Sequence, residues 1–572
     1  MMKIHGLKDF IFHWSFYLMN RVLLSILLFL VLIFQINANT FKNPILKGGY
    51  PDPSICENNG IYYLVNSSFE YFPGLPLHKS NDLVNWELVG YALNRETQVS
   101  SKVNLRDVQS NGGIHAPSIR CHDNKFYIIS TNVYFDQSSN ETEFVNFLLV
   151  ADTIEGPWSD PIIIENAPGI DPDIIFDDDG RIWYLGNRMP IDPAFEGEGE
   201  IWIQELDSSS FQLIGDSKSL WRGACNGVWA EGPHIYKNYG KYYLLIAEGG
   251  TSFNHSIMIA VSDNIDGPYL SNPRNPILTS RHLSYDYWVN SVGHGDLIRL
   301  PDNKWYLTAL GIRNQINRAS NMGRETFLLP VEWEQEPFEW KEEKVYWPVI
   351  SPNSGKTEKE YPSPFPVSKQ LEKIDFKDAF DNTQLSLAWN FRRHPKEKFL
   401  SLSERPGYLR LYSTESINND RKSYSFLGVK QAEEYFELSA NLHISDSNLE
   451  TGLSLIQKDD NFINFLLKQH GNKSYLKIEV KERNKQSLIN EKEIILNTNK
   501  IILRIKANSS HYDYSYSNDS GITFKTIGTT ASDLILSNYS YTGAHLGLYI
   551  NSLDSQKRFI DVGDFSVKYS SN

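Results

Sequence analysis

One short phrase occurs five times in this 572-residue chain and constrains its fold more than any other feature. Each copy reads as a turn followed by an aromatic strand. The copies are Gly60-Ile61-Tyr62-Tyr63-Leu64, Asn124-Lys125-Phe126-Tyr127-Ile128, Arg181-Ile182-Trp183-Tyr184-Leu185, Gly240-Lys241-Tyr242-Tyr243-Leu244 and Asn303-Lys304-Trp305-Tyr306-Leu307. The aligned tyrosines recur about every 60 residues, the length of a four-stranded propeller blade with its loops. The sequence therefore predicts a five-bladed β-propeller.

A second recurring phrase precedes each copy of the first and would open the innermost strand of each blade. Its copies are Pro51-Asp52-Pro53-Ser54-Ile55, His115-Ala116-Pro117-Ser118-Ile119, Ile170-Asp171-Pro172-Asp173-Ile174, Glu231-Gly232-Pro233-His234-Ile235 and His294-Gly295-Asp296-Leu297-Ile298. In a radial array, equivalent innermost positions face the central axis. We therefore expect Asp52, Asp171 and Glu231 to occupy equivalent slots and to converge in one funnel.

The chain is long enough for more than one domain, because single cores stop growing at roughly 250 to 300 residues. Residues 40–355 are predicted to form the propeller, which we expect to be the catalytic domain, and 356–372 a proline-rich linker. Residues 373–572 contain short strands with a period of two, which predicts an all-β second domain, a β-sandwich of the concanavalin or jelly-roll type.

Residues 1–39 are predicted to be a signal peptide. The run from Val22 to Phe34 holds 13 apolar or small residues, whereas a bilayer span needs roughly 20. Cleavage would export the protein to the periplasm or the cell exterior and leave it without a stable membrane partner. The three cysteines, Cys56, Cys121 and Cys225, are widely spaced and odd in number, so we expect buried small residues unless two prove adjacent.

Charge and aromatic content narrow the class of ligand. With 69 acidic against 55 basic residues, the formal net charge is −14, which argues against a nucleic-acid partner. Aromatic residues make up 13% of the chain. Flat aromatic rings suit an all-β core and also stack on the faces of sugars. The composition is thus compatible with a carbohydrate ligand.

Three converging carboxylates, without a plausible nucleophilic serine or cysteine or a metal cluster, point to acid/base hydrolysis of an acetal. Cleavage of a glycosidic bond needs one acid to protonate the leaving oxygen and a base or nucleophile on the opposite side of the sugar. A third carboxylate beside the acid would raise the pKa of that acid by like-charge repulsion.

The ordered set of motifs resembles glycoside hydrolase family 43. The motifs are Tyr50-Pro51-Asp52-Pro53-Ser54, Gly113-Ile114-His115-Ala116-Pro117, Gly169-Ile170-Asp171-Pro172-Asp173, Glu231-Gly232-Pro233-His234, Gly293-His294-Gly295-Asp296 and Gly323-Arg324-Glu325-Thr326-Phe327. The region from Phe376-Lys377-Asp378-Ala379-Phe380 onward resembles the C-terminal β-sandwich of the β-xylosidases and α-L-arabinofuranosidases of that family.

The resemblance implies an exo-acting glycosidase that inverts the anomeric configuration. By position, Asp52 would be the general base, Glu231 the general acid, and Asp171 the residue that tunes the pKa of the acid and orients it. The implied substrates are terminal β-D-xylosyl or α-L-arabinofuranosyl residues of xylan or arabinan oligosaccharides and polysaccharides, and two such sugars present similar hydroxyls to one pocket. No cofactor is implied for the reaction.

The resemblance also implies substrate-binding residues. Arg324 would bind hydroxyls of the terminal sugar, and Phe69 and Phe72 would wall the pocket. His115 stands where relatives often carry an aromatic residue, and His294 matches a histidine that in some relatives holds a calcium ion or a water cluster. These assignments have structural alternatives. Arg324 would form an ion pair with Glu325, His294 would be a hydrogen-bonded core histidine, and Phe69 and Phe72 would be ordinary core residues.

Two other functions remain open at this point. A five-bladed fructan hydrolase would retain configuration through an aspartate nucleophile, within a Trp-Met-Asn-Asp-Pro-Asn-like phrase where this chain has Gly49-Tyr50-Pro51-Asp52-Pro53-Ser54. A propeller without catalytic function would bind glycans only.

Overall fold

The computed structural model describes residues 39–224, 227–341, 343–365, 369–371, 375–414, 421–483, 485–536 and 540–570. The predicted signal peptide and Cys225 lie outside these ranges, apart from Asn39. Within them the chain is almost entirely β, with a four-residue helix, Glu96–Val99, and a 3-10 turn, Ser532–Ile535. None of the described helices has the length and apolar character needed to cross a membrane.

Five antiparallel sheets form the N-terminal domain. The strands of each sheet are named from the innermost to the outermost. The first contains β2 Ser54–Asn58, β3 Ile61–Val65, β5 Gly74–Ser80 and β6 Glu87–Leu93. The second contains β7 Gly113–His122, β8 Lys125–Asp136, β9 Glu141–Ala151 and β10 Ile162–Ile163. The third contains β11 Asp173–Phe176, β12 Ile182–Arg188, β13 Glu200–Leu206 and β14 Leu213–Trp221.

The remaining two sheets continue the pattern. The fourth contains β15 Glu231–Asn238, β16 Lys241–Glu248, β17 Ser256–Ser262, β18 Leu270–Ser271 and β19 Leu278–Thr279. The fifth contains β20 Val289–Arg299, β21 Trp305–Arg313, β22 Glu325–Trp333 and β25 Pro348–Ile350, with a small hairpin of β23 Phe338–Trp340 and β24 Glu343–Val345 inserted. The first strands, β2, β7, β11, β15 and β20, contact one another in a closed ring. The five-bladed propeller is thereby confirmed.

The two repeated phrases explain this ring. The upstream phrase enters the first strand of each blade, and the aromatic phrase supplies the turn and the second strand, as in the pairing of Ile55 with Leu64. The five aligned tyrosines are buried between neighbouring blades. A side-chain hydrogen bond joins the first blade to the last, since Ser54 donates to Asp296 at 2.7 Å. At the outer edge, β1 Thr40–Lys42 pairs with β26 Glu360–Pro362, inside the segment predicted as linker.

The C-terminal domain is a β-sandwich with a continuous apolar core between two sheets. One sheet contains β27 Phe376–Asp378, β29 Leu400–Ser401, β30 Leu409–Tyr412, β32 Phe436–His443, β37 Lys500–Ala507, β38 His511–Ser517, β39 Lys525–Ala531 and β41 Phe559–Tyr569. The other contains β28 Asn390–Arg392, β31 Phe426–Lys430, β33 Leu449–Lys458, β34 Asn461–His470, β35 Lys473–Glu482, β36 Lys485–Ile494 and β40 His545–Ser552.

The second sandwich sheet extends into the propeller domain. Its eighth strand is β4 Tyr71–Phe72, which pairs with β28 across the domain boundary. The buried guanidinium of Arg392 lies 2.8 Å from Glu70 and 2.9 Å from Asp459, so charge pairing accompanies the backbone pairing. The sandwich therefore fixes the segment from Phe69 to Phe72, which leads directly into the central funnel.

Two of the three cysteines form a bond that the sequence analysis did not predict. Cys56 on β2 and Cys121 on β7 form a disulfide between the first two blades. The sequence analysis expected buried small residues unless two cysteines proved adjacent, and this pair is adjacent. They are 65 residues apart in sequence, and their adjacency follows from the side-by-side packing of equivalent innermost strands.

Candidate active site

Five residues with left-handed backbone conformation line the upper end of the innermost strands, one from each blade. They are Asp52 (φ 50°), Ala116 (φ 30°), Asp171 (φ 55°), Gly232 (φ 57°) and His294 (φ 43°). We call this set the upper layer. A non-glycine residue in this conformation typically costs roughly 1 to 3 kcal/mol. Its recurrence at every blade turns the side chains of this layer toward the funnel.

The backbone angles correct one part of the sequence prediction. Asp52 and Asp171 occupy equivalent slots, but the equivalent residue in the fourth blade is Gly232, and Glu231 stands one position earlier. A bulge interrupts the pairing of β15 with β16 between Glu231 and His234, as a bulge does between His115 and Ser118 in the second blade. The phrases themselves carry this offset, because their alignment on Pro53, Pro172 and Pro233 places Gly232 opposite Asp52 and Asp171. Position 232 also needs glycine, because a Cβ atom there would lie 3.0 Å from the His294 ring.

Asp52 is buried (4% exposed) and fully hydrogen-bonded. Arg324 donates from Nη1 to Oδ1 at 3.1 Å, and the Ser67 hydroxyl donates to Oδ2 at 2.6 Å. Burial alone would raise the pKa of Asp52, but Arg324, His294 and Ser67 outweigh burial and hold the pKa below its ordinary value. Asp52 is thus ionised throughout the neutral range.

Glu231 and Asp171 form a pair of carboxyl groups that faces Asp52 in the funnel. Asp171 is buried, and its Oδ2 accepts a hydrogen bond from the Gly232 amide at 3.2 Å. Burial together with the nearby charge of Glu231 raises the pKa of Asp171 well above its ordinary value. Burial and the charge of Asp52 raise the pKa of Glu231 to about 7, against a smaller lowering by Arg324. At neutral pH this pair therefore retains a proton that a solvent-exposed carboxylate would lose.

His294 connects the two carboxyl groups. Its Nδ1 lies 4.0 Å from Asp52 Oδ1, and the ligand atoms of His294, Asp171 and Glu231 all lie within 4.8 Å of one another. Burial lowers the pKa of His294 to about 4, so that the ring is neutral at pH 7. The three residues form a group that could hold a metal ion. Two carboxylates and one imidazole meet the demand of Ca²⁺ for six to eight oxygen ligands only in part.

An aromatic wall closes one side of the funnel. The Phe69 ring stands edge-on to His115 at 4.7 Å between centroids and lies 5.5 Å from the ring of Tyr541, which comes from the C-terminal domain. The Arg324 guanidinium lies over both Phe69 and Tyr541, at 5.3 and 5.1 Å. Burial lowers the pKa of His115 to about 4, so His115 contributes a neutral ring to this wall.

The structure does not bring Phe72 into this group. The Phe72 ring packs against Phe391 and His394 of the C-terminal domain, at 6.5 and 4.7 Å between ring centroids. Arg324 likewise does not pair with Glu325, which accepts hydrogen bonds from Arg313 instead. Phe72 is therefore a core residue, as its structural alternative has it, whereas Arg324 does not form the alternative ion pair with Glu325.

A second set of side chains lies deeper on the axis, two residues further along each innermost strand. We call Ser54, Ser118, Asp173, His234 and Asp296 the lower layer. Arg120 pairs with Asp173 and, at 3.0 Å, with Asp296. His234 lies 2.9 Å from Asp173, and Tyr236 donates to Asp296 at 2.5 Å. Burial alone would raise the pKa of Asp296, but Arg120, His234, Tyr236 and Ser54 hold the pKa below its ordinary value.

Several residues of the site were missed by the sequence analysis. Ser67 bridges Asp52 and the Ala116 amide, and Thr251 accepts a hydrogen bond from Arg324 at 2.7 Å. Tyr541 lies in the other domain, and no local pattern marks it. Arg120 was missed as well, because its partners Asp173 and Asp296 lie in other blades.

The arrangement contains the two groups that acetal hydrolysis requires. One carboxylate, Asp52, is kept ionised by an arginine, and a facing carboxyl group is kept protonated by burial and like charge. Aromatic rings and a guanidinium fork beside them suit the hydroxyls and apolar face of a sugar.

Two family models match the chain. The model for glycosyl hydrolases family 43 matches residues 41–338, and the model for the beta xylosidase C-terminal concanavalin A-like domain matches residues 377–568. The two matches correspond to the propeller and to the sandwich described above.

Known proteins resemble this chain along most of its length. A xylosidase/arabinosidase from Butyrivibrio fibrisolvens is 39% identical over 76% of this chain and 81% of its own length. A non-reducing end alpha-L-arabinofuranosidase from Bacteroides ovatus is 34% identical, covering 89% and 91%. The crystal structure of xylan beta-1,4-xylosidase from Bacillus halodurans C-125 superimposes with a TM-score of 0.84 at 30% identity, covering 92% of this chain and 100% of that one.

Proposed function

Because the chain belongs to glycosyl hydrolase family 43, we propose that it is an inverting exo-glycosidase that removes terminal β-D-xylosyl or α-L-arabinofuranosyl residues from hemicellulose fragments. The observation that carries this proposal is that one funnel holds both an ionised carboxylate and a carboxyl pair that retains a proton. Asp52 is ionised by its contact with Arg324, while Glu231 and Asp171 share a site in which burial and like charge retain a proton.

In the proposed reaction, Asp52 is the general base. It takes a proton from a water molecule as that water attacks the anomeric carbon. The hydrogen bonds from Ser67 and Arg324 orient the Asp52 carboxylate toward that water. Glu231 is the general acid and donates its proton to the leaving oxygen, so the glycosidic bond breaks as the new bond to water forms on the opposite face.

Asp171 is proposed to act through Glu231. Its carboxyl group is fixed by the Gly232 amide and lies close enough to Glu231 to raise the cost of ionising both. This keeps Glu231 protonated before catalysis. Arg324 is proposed to bind hydroxyls of the terminal sugar, with Phe69, His115 and Tyr541 around the ring.

The substrate class is supported by the names of the relatives. They include a xylosidase/arabinosidase, a non-reducing end alpha-L-arabinofuranosidase and a xylan 1,3-beta-xylosidase from a Vibrio species. These relatives span two terminal sugars, which is why both stay in the proposal. The proposed partner is an oligosaccharide or polysaccharide of the xylan or arabinan type.

The proposed reaction needs no cofactor. A calcium ion near His294 would be structural, with water supplying most of its oxygen ligands, since Glu231 is needed for proton transfer and Asp171 for tuning the pKa of Glu231. Dialysis against EDTA should therefore leave kcat unchanged. Loss of turnover that added Ca²⁺ restores would contradict this part of the proposal.

Export is proposed for the mature protein. The apolar run from Val22 to Phe34 supports a cleaved signal, and the disulfide between Cys56 and Cys121 is typical of proteins that fold in an oxidising compartment. The test is the N-terminal sequence of the protein recovered from the periplasm and from the medium.

Two measurements test the function. Turnover of nitrophenyl β-D-xyloside and nitrophenyl α-L-arabinofuranoside identifies the terminal sugar, and NMR of the first-formed anomer reports the stereochemistry. We expect inversion. Retention would sink the assignment and favour the fructan-hydrolase chemistry, and absence of turnover on every substrate would leave a glycan-binding propeller. Neither alternative is favoured by the comparisons.

A further inference from the structure

Arg318 packs against two aromatic rings on loops of the fourth and fifth blades. The carbon atom of its guanidinium stands 3.7 Å from the ring centroid of Phe253 and 4.9 Å from that of Tyr285. Both rings are unusually exposed for their size, at 41% and 57%. We call Arg318, Phe253 and Tyr285 the arginine clamp. The two rings pack against the guanidinium and hold its position.

The clamp holds a cation without a counter-charge from the described part of the chain. No described carboxylate forms an ion pair with Arg318, and its Nε is buried without a hydrogen-bond partner. Burial lowers the pKa of Arg318, with Tyr285 giving the opposing contribution. The loop is nonetheless well anchored, because the Asn314 side chain accepts from the Arg318 amide at 3.0 Å and Asn290 donates to the Arg318 carbonyl at 3.2 Å.

The clamp is built on segments that reach the catalytic groups. Phe253 lies two residues after Thr251, which accepts a hydrogen bond from Arg324. Asn290, which holds the Arg318 carbonyl, lies four residues before His294 on β20. Phe253 also follows Glu231 in the same blade, and the exposed Trp229 stands two residues before Glu231. Since the general acid must touch the leaving oxygen, the leaving-group part of a substrate would pass over this side of the funnel.

We propose that the arginine clamp is a subsite for the carboxylate of a uronic acid substituent on the leaving-group side of the substrate. The inference rests on the proposed function. The guanidinium fork matches a planar carboxylate with two parallel hydrogen bonds, and the exposed ring faces suit the apolar face of a sugar. The funnel below holds three carboxyl groups, so an anionic branch needs a cation of its own at the rim.

The test compares two oligosaccharides that carry the same terminal sugar and differ by one glucuronic acid branch on the sugar next to it. We expect wild-type kcat/KM to be higher for the acidic oligosaccharide. Arg318→Gln should lower kcat/KM for that substrate by roughly tenfold and leave the neutral substrate unchanged, because charge-assisted pairing is lost. Arg318→Lys should retain part of the preference, and added salt should weaken it.

The matched control is Arg504→Gln, since Arg504 stacks over Phe524 at 3.5 Å on the C-terminal domain. That variant should keep the wild-type preference. Equal losses on both substrates in Arg318→Gln, no wild-type preference, or a changed oligomeric state in light scattering would each overturn the proposal. If wild type hydrolyses neither oligosaccharide, the proposed function fails. Calorimetry then tests the clamp separately, by comparing the affinity of the acidic oligosaccharide for Asp52→Asn with its affinity for the double variant that also carries Arg318→Gln. Equal affinities would overturn the proposed subsite.

Discussion

The upper and lower layers of the funnel lie two residues apart on the same five strands but balance their charges differently. The lower layer lies within these strands, and the left-handed backbone of the upper layer directs its side chains to the same axis. In the lower layer, Arg120 and His234 accompany the two aspartates Asp173 and Asp296. In the upper region, Arg324 donates hydrogen bonds to the carboxylate of Asp52, while the carboxyl groups of Asp171 and Glu231 lie close to each other.

This difference separates stability from function. The lower layer is a closed network that joins every blade, and its aspartate Asp296 has a lowered pKa. The upper region leaves one carboxyl pair without its own cation, and the pKa values of Asp171 and Glu231 rise. Substitutions in the upper region should therefore impair turnover, and those in the lower layer should impair folding.

The largest expected effect is the loss of turnover in Asp52→Asn and Glu231→Gln. Each removes one proton-transfer group, so kcat/KM should fall roughly a thousandfold on an oligosaccharide with the better terminal sugar, whose sugar leaving group needs protonation. The melting temperature, measured in parallel, should not fall. An active variant would refute the assigned role, and a strongly destabilised one would refute the proposed separation of the layers.

In the lower layer, Arg120→Met should cost about 3 to 5 kcal/mol of unfolding free energy, because two aspartates would be buried without their cation. Denaturant unfolding measures this change. The control is Arg181→Met, whose partner Asp179 lies in an exposed turn at 2.7 Å. It should show no measurable change. Equal stability of both variants would contradict the account of the lower layer.

The pH dependence of kcat/KM should reflect the upper region. The pKa of Glu231 is raised to about 7, so activity should decline as pH rises through about 7 and the acid ionises. The pKa of Asp52 is lowered, so activity should persist down to the acidic range where Asp52 becomes protonated.

Asp171→Asn separates the contributions to that profile. It removes a like charge beside Glu231, so the alkaline limb should move to lower pH while Asp52 still ionises as before. Asp178→Asn, at an exposed turn, is the control and should leave the profile in place. An unmoved alkaline limb in Asp171→Asn would show that Asp171 does not tune the acid.

The smallest expected effect tests the contribution of the other domain. Tyr541→Ala removes a ring from the aromatic wall beside Phe69 and Arg324, and kcat/KM should fall roughly threefold to tenfold. Tyr475→Ala, on the sandwich strand β35, is the matched control. If the two variants behave alike, Tyr541 has no part in the site.

Much of the fold was predictable because its signals repeat. Five copies of an aromatic phrase indicated five blades, and the upstream phrase identified Asp52 and Asp171 as axial. The slot assigned to Glu231 was wrong by one residue, although the alignment of the phrases on their prolines places Gly232 opposite Asp52 and Asp171. The bond between Cys56 and Cys121 was also missed, because widely separated cysteines give no pairing signal without the packing of neighbouring blades.

By itself, the sequence determined the number of blades, the all-β architecture and the acids that approach the axis, because turns and strand periodicity are local properties of the chain. The tertiary structure alone decided which charges meet. Arg324 reaches Asp52 across 272 positions, and Tyr541 enters the wall from another domain. The pKa of each carboxyl depends on burial and on charges a few ångströms away, and only the folded chain brings such charges together.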